Sequence, residues 1–384
     1  MTTRSVSKSP DLPERIATQL RQQICQHAQP GAKLDPIRSL ARQSDVSINT
    51  MRAALAILAR DGLLELRHGS GNYVKQTDDR PVGVLLELDF SSAISSYFWR
   101  RLTQQVRLRL AEQGVASRLY TGFYEAGQPL EATTCAEFAA DVQQNRLRGV
   151  IVTYGGCLAH WADLLRQQRV PIVGYGKNMD FDYFVSYDAS AVVRQATRRL
   201  LAAGRRKLAY MDWGNPACDG APRDDCFGAI ANALSERGLT VNPAWVRRDF
   251  IPTLPGAGWT EFREIWTGSR EKPDGLIVTD DMLFRGAERA IRDLGIRVPE
   301  QLRVTTHVNR GDSLQFSFPV ERLESDPDAF ALAQVDLLLA LLRGQPPGEP
   351  EVQLPMRFIG LEDATPAAAV TAYTAASPST RSQS

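Results

Sequence analysis

The sequence predicts an α/β chain in two parts: a small N-terminal winged helix-turn-helix of the α+β kind, then a larger doubly wound body on parallel sheets. Three observations carry this. Within the first 60 residues apolar side chains recur at helical spacing in three stretches, and two short strand-like runs follow around a glycine turn. Beyond residue 82, short apolar runs alternate with amphipathic helical stretches, as parallel strands joined by crossover helices do. Positive charge is gathered at the front. Residues 1–76 hold 11 Lys/Arg against 6 Asp/Glu, while the other 308 residues hold 34 against 38. That asymmetry suits a basic module facing a polyanion, joined to a near-neutral body.

In the first module, Leu12, Ile16, Leu20 and Ile24 make one apolar ridge of a first helix, which Pro30-Gly31 breaks. Ile37, Leu40 and Ala41 give a short second helix with Pro36 in its first turn. Ser47 is placed to cap a third helix. In that helix Met51, Ala54, Leu55 and Leu58 share the core face, Ile48, Asn49 and Arg52 lie on the other side, and Gly62 is the expected stop. Leu64, Leu66 and Tyr73 around "HGSG" read as a hairpin with Arg67-His68-Gly69 at its tip. The lone GxG there lacks a third glycine and a following helix, so it is not a nucleotide loop. Three helices and a hairpin in this order place the third helix in the major groove, its N-terminal residues nearest the bases, and the hairpin tip on the backbone or minor groove.

The run "PGAKLDPIRSLARQSDVSINTMRAALAILARDGLLELRHGSGNYV" resembles the winged-helix domain of the GntR family of bacterial transcription regulators. The resemblance implies a phosphate or base contact for Arg38, recognition-helix contacts for Ser47, Asn49, Thr50 and Arg52, and a wing tip at His68 and Gly69. Two positions depart from the family. Leu34-Asp35-Pro36 stands where Leu-Pro-Ser is usual, and Ile48 stands where an arginine commonly reads guanine. A bidentate arginine–guanine contact is worth about 1–3 kcal/mol of discrimination. Isoleucine cannot make it; Ile48 would pack on a thymine methyl instead.

The domains expected are 1–76 for DNA binding, a polar linker at 77–81, the body at 82–362 and a small, polar, disordered tail at 363–384. Within the body, "VGVLLEL", "RGVIVTY", "VPIVGYG", "KLAYMDW" and "DGLIVTD" read as strands, and "YFWRRLTQQVRLRLAEQG" as a helix ending at Gly114. No GxGxxG follows the first strand, and no GxSxG, P-loop or HExxH occurs. The five cysteines are scattered without a CxxC pair, and the four histidines are isolated from one another. No disulfide framework, metal or cofactor is therefore expected.

The order of pieces in the body is similar to the ligand-binding domain of the LacI/GalR family, itself like the periplasmic sugar-binding proteins. The pieces are "SSYFWRRL", "RGVIV", "VPIVGYG", "VSYDASAVVRQATRRLLAAGRRKLAYM" with Asp188 as a helix cap, "RDDCFGAI", "DGLIVTDDMLFRGAERAIRDLGIRVPEQLRVTTH" and "DPDAFALAQVDLLLALLRGQPP". The resemblance implies two doubly wound lobes of the periplasmic-binding-protein-like kind, with a ligand cleft at the carboxyl ends of the strands. It places Phe98, Trp99, Tyr154, Lys177, Trp213, Arg223, Asp280 and Asn309 around the ligand. Asp280-Asp281 stands where the family usually has Asn-Asp, and "THVN" where it usually has a glycine and an acidic residue, so the ligand's identity does not carry over.

The expected function is that of a ligand-responsive regulator, a repressor in preference to an activator, and not an enzyme. Its partners would be double-stranded operator DNA, a sugar-like effector and a second copy of itself, in the cytoplasm and away from membranes. No apolar run approaches the ~20 residues of a membrane span, and "MTTRSVSKSPDLPER" lacks the apolar stretch of a signal peptide. The rival reading is a winged-helix module fused to a catalytic α/β domain, for instance one holding pyridoxal phosphate on a lysine. It would need more residues than remain here.

Overall fold

The computed structural model describes residues 12–27, 31–60, 63–67, 71–74, 78–87, 96–122, 136–154, 157–176, 181–212, 224–248 and 256–362. The expected ends at Gly62, the wing tip and the tail at 363–384 lie outside them.

Helices α1 (Leu12–His27), α2 (Ile37–Gln43) and α3 (Ile48–Arg60) close a small core with the hairpin β1 (Leu64–Arg67) and β2 (Gly71–Val74). The periodicity explains why. Ile16, Leu20 and Ile24 of α1, Leu40 and Ala41 of α2, and Met51, Ala54, Leu55 and Leu58 of α3 are all buried in one cluster with Leu64 and Val74. Burying each of the leucine, isoleucine, methionine and valine side chains is worth about 1.5–3 kcal/mol. Two expectations are corrected. Leu12 begins α1 and is 49% exposed, so it stands outside the buried cluster that Ile16, Leu20 and Ile24 join. Pro36 is the N-cap of α2, not a residue of its first turn; its extended backbone (φ −52, ψ 141) precedes the first helical residue, Ile37. The segment before α2 joins the wing. Leu34 N–H donates to the Asn72 carbonyl at 2.8 Å and Val74 N–H to that of Ala32 at 2.8 Å.

The body holds two six-stranded sheets. The first runs in the order β4 (Ser117–Thr121), β3 (Val82–Leu86), β5 (Gly149–Tyr154), β6 (Ile172–Tyr175), β7 (Tyr183–Tyr187) and β13 (Glu351–Leu354), with every pair parallel. The second runs β9 (Val246–Arg247), β8 (Leu208–Met211), β10 (Gly275–Val278), β11 (Arg303–Asn309), β12 (Glu321–Ser325) and β14 (Arg357–Ile359); only β14 is antiparallel. Crossovers α4 (Tyr97–Glu112), α5 (Ala136–Gln143) and α6 (Ala162–Gln167) serve the first lobe, and α7 (Ala189–Ala202), α8 (Asp224–Ser235), α9 (Trp259–Thr267) and α10 (Asp281–Asp293) the second. Parallel strands covered on both faces read as continuous apolar runs, and β3, β8 and β10 are buried throughout.

The chain crosses between lobes three times. After β7 it enters the second lobe at Asp188, which caps α7 by accepting the Ala191 N–H at 3.0 Å. After β12 it returns at Asp326, which caps α11 (Pro327–Leu342) by accepting from Asp328 and Ala329 N–H. Helix α11 then packs beside α4 on the first sheet. A third crossing joins β13 to β14. Tyr187 ties two crossings together: its hydroxyl donates to the Asp326 carbonyl at 2.7 Å and accepts from the Asp326 N–H at 3.0 Å. In the second lobe, Gly286 allows α9 to meet α10 at backbone distance. A Cβ there would lie 2.0 Å from the Ala257 carbonyl oxygen. That contact helps to set where α10 begins, and so where Asp280 and Asp281 stand.

Candidate functional site

The DNA-facing candidates lie at the start of α3. Ile48 is its first residue and is 41% exposed, while its core face is at most 2% exposed. Asn49 and Arg52 are exposed on the same side, and the Arg52 guanidinium donates to Asn49 Oδ1 at 3.0 Å. Arg38, in the first turn of α2, is exposed. Ser47 is committed to the cap: its Oγ accepts from the Thr50 N–H at 3.1 Å and lies 2.8 Å from the Thr50 hydroxyl. Ser47 and Thr50 thus satisfy each other, while Ile48, the hydrogen-bonded pair Asn49 and Arg52, and Arg38 present exposed side chains on the face a duplex would meet. At the base of the wing, Arg67 lies 4.7 Å from the Tyr73 ring centroid and Lys33 Nζ 5.7 Å from it. His68 and Gly69 lie outside the described residues.

In the first lobe the candidates form an aromatic group at the carboxyl ends of the strands. Ser96 caps α4 through the Phe98 N–H, which sets the next residues' side chains. The Trp99 ring centroid lies 4.7 Å from Phe98, 4.9 Å from Tyr154 and 4.6 Å from Tyr175. Phe98 is buried against Tyr187 and Phe330, so it supports the group; Trp99, Tyr154 and Tyr175 are half-buried and present ring surface. The start of α4 also reaches the second lobe, since a Cβ added at Gly311 would lie 3.0 Å from the Tyr97 hydroxyl.

In the second lobe the strand ends present polar atoms. Asp280 N-caps α10, its Oδ1 accepting from Met282 and Leu283 N–H at 2.9 Å each. Burial and the neighbouring Asp281 carboxylate push Asp280 up to about 6. Asp281 is 4% exposed. Burial works to raise it too, but His307 and then Arg285 prevail and hold it below the usual carboxylate range. Asn309, 3% exposed at the end of β11, accepts at Oδ1 from the Ser325 hydroxyl at 2.9 Å. Asp281 Oδ2 and Asn309 Nδ2 are buried without a hydrogen-bond partner. Such atoms cost about 1–3 kcal/mol each unless something meets them.

Phe98, Trp99 and Tyr154 are thus brought together in one lobe, and Asp280 and Asn309 at the strand ends of the other. Lys177, Trp213 and Arg223 lie outside the described residues. Sequence reasoning passed over Tyr175, Asp281, His307 and Ser325. Tyr175 had the same signal as Tyr154, an aromatic at a strand end, and Asp281 was the second acid of a pair whose first member was chosen. His307 and Ser325 carried no local signal; only the pairing of β11 with β12, His307 opposite Leu323 and Asn309 opposite Ser325, makes them neighbours.

Residues 12–74 match the family model of bacterial regulatory proteins of the gntR family, and residues 197–360 that of a periplasmic binding protein-like domain. The chain joins a GntR-type regulatory domain to a periplasmic-binding-protein-like domain. It is similar to the arabinose metabolism transcriptional repressor of Halalkalibacterium halodurans, with 23% identity over 288 residues, 72% of this chain and 74% of that one. Among solved structures the fold is similar to a CelR regulator–cellobiose complex, with TM-score 0.61 and 17% identity over 85% of this chain and 99% of that one. It is also similar to the lac repressor dimer bound to operator and the anti-inducer ONPF, with TM-score 0.59 and 17% identity over 73% and 92%. Among the described residues, no helix is long and apolar enough to cross a membrane.

The state of Asp280 has a measurable consequence. Its folded pKa lies above the unfolded value, so its contribution to stability is full below about pH 4 and is lost as pH rises through 6. Asp280→Asn keeps the cap, because asparagine caps as well as aspartate, and removes the buried charge. We expect the variant to be more stable than wild type at pH 7.5, by about 1–2 kcal/mol after allowing for solvent screening. Its stability should also change less between pH 4 and 7 in urea titrations. A variant less stable at pH 7.5 would mean that the Asp280 charge is matched by a cation in the folded state.

Proposed function

We propose that this protein is a ligand-responsive transcription repressor of the cytoplasm. A homodimer would present two α3 helices to the half-sites of an operator, and a polyhydroxylated small molecule would bind between the lobes. The observation that carries the effector reading is the pair of buried atoms at adjacent strand ends that make no hydrogen bond, Asp281 Oδ2 having only the Arg285 guanidinium at 3.9 Å. Asp281 Oδ2 can only accept and Asn309 Nδ2 can only donate. A sugar hydroxyl does both, so the two atoms have the acceptor-and-donor pattern that a ring bearing neighbouring hydroxyls complements. Trp99, Tyr154 and Tyr175 supply the apolar surface that a sugar face packs on. The relatives' names are consistent with this, one concerning arabinose and one structure holding cellobiose.

Because the lobes are joined at three crossings, a ligand touching both changes their relative position. It alters operator affinity only to the extent that it binds the two arrangements unequally. The test is operator binding by the full chain to its own promoter region, with arabinose, cellobiose and a panel of related sugars. We expect specific binding that one compound alters by about 5- to 150-fold, the usual range of such coupling. Affinity should also fall steeply with salt, by about 10³-fold or more between 50 and 200 mM if six or more phosphates are neutralised. Promoter DNA bound no better than random DNA under every condition would sink the reading.

A further inference from the structure

Four groups at the floor of the second lobe lie in a line, three of them buried and His307 half-buried. His307 Nδ1 lies 3.7 Å from Asp281 Oδ1, and His307 Nε2 lies 3.0 Å from Ser325 Oγ. The Ser325 hydroxyl lies 2.9 Å from Asn309 Oδ1. The order Asp–His–Ser is that of an acyl-transfer triad, but Ser325 is 1% exposed and its proton is taken up by Asn309, so no substrate carbonyl reaches it. We propose that this line is a directional hydrogen-bond chain, in which the proton count of the Asp281–His307 pair selects which end of the Asn309 amide faces the effector. His307 is then a positioning residue for the effector site, and the inference rests on the cleft being that site.

The argument is one of donors and acceptors. Asn309 Oδ1 has no hydrogen, so Ser325 donates to it. Ser325 has one proton, so its oxygen accepts from His307, and Nε2 carries a hydrogen. Nδ1 then faces the Asp281 carboxylate at 3.7 Å. Two bare lone pairs would otherwise face each other there, and we place a second proton between them. With Asn309 Nδ2 turned to the cleft, the chain therefore holds one proton more than a neutral imidazole beside a carboxylate. Turn the amide over and the direction reverses. Asn309 Nδ2 donates to Ser325, Ser325 donates to Nε2, and the Nδ1–H faces Asp281. That setting is complete with one proton fewer, and it presents Asn309 Oδ1 to the ligand.

Burial makes the choice sharp. Asp281, Ser325 and Asn309 are 4%, 1% and 3% exposed, so a mismatched direction leaves a polar group unpaired away from water. The charged groups around the Asp281–His307 pair are Asp280, the cap of α10, Arg285 on α10 and Asp312 after β11, with Asp212 after β8 acting on Asp280 and Arg100 of α4 acting on Asp312. Lower pH favours a ligand atom that accepts from Asn309, and higher pH one that donates to it.

Nitrogen and proton NMR of the full chain without ligand tests this, from pH 5.5 to 8.5. Only four histidines are present, and His307→Gln assigns the ring. We expect both ring nitrogens of His307 to be protonated at the acid end, giving way to the Nδ1–H form at the alkaline end. The Asn309 side-chain amide should shift with the same midpoint, and Ser325→Ala should abolish that shared midpoint while the ring still titrates. A neutral Nε2–H ring at any pH, a ring that does not titrate in this range, or an Asn309 amide that ignores the ring would each overturn the proposal. No effector is used, so failure to find one leaves this result standing and bears only on the functional reading.

Discussion

Ile48→Arg is expected to move operator preference towards guanine at one base pair of each half-site, by about 10- to 100-fold over the other bases. Ile48 begins α3, is 41% exposed and takes no part in the core formed by Met51, Ala54, Leu55 and Leu58. Exchanging it therefore costs little folding energy, within about 0.5 kcal/mol for an exposed position. The Ser47 cap, which fixes the first turn, stays intact. What changes is the group offered to the groove: a branched alkyl surface suited to a thymine methyl is replaced by a planar fork suited to the N7 and O6 of guanine. Selection of preferred sites from randomised half-sites, for wild type and variant in parallel, reads this out. Identical preferences would make Ile48 a helix-start residue with no part in reading bases.

Asp281→Ala is expected to abolish the response to effector, with affinity lower by about 10²-fold or more, while operator affinity without effector is unchanged. Truncating one partner of a buried, hydrogen-bonded polar pair costs about 2–5 kcal/mol of binding. Asp281 also holds the near end of the His307–Ser325–Asn309 line, so its loss disturbs the Asn309 amide as well. The DNA-facing residues lie on α2 and α3, in a separate core, and are untouched. Calorimetry with the responsive sugar, beside operator titrations, separates the two effects. Operator affinity that collapses while sugar binding survives would remove Asp281 from the effector site.

How much could be read without coordinates depends on the range of the interaction concerned. The three helices and the wing announce themselves by spacing, since a core a few residues deep writes its period into the chain. The cap at Ser47 and the caps at Asp188 and Asp326 are local too, each joining atoms two or three residues apart. Leu12 fails because periodicity marks the face a helix would bury and cannot say whether a neighbour extends far enough to cover it. Trp99 and Tyr154 stand at the ends of elements, where residue type and position together suggest a cleft. Their partner Tyr175 has the same signal and becomes evident only once the rings are seen within 4.6 and 6.2 Å of it.

By itself, the sequence determined that a basic winged helix precedes a doubly wound α/β body, because helical period, strand runs and charge are properties of neighbouring residues. That Ile48 stands off the core was decided by the tertiary structure, which leaves it 41% exposed although a three-residue offset sets it beside Met51 on the helix. The tertiary structure alone decided which polar atoms lie buried and unsatisfied. The line from Asp281 to Asn309 joins the start of α10 to the ends of β11 and β12, positions 281, 307, 309 and 325. Hydrogen bonds between residues that far apart depend on strand register and on where α10 begins, and neither leaves a local trace in the chain.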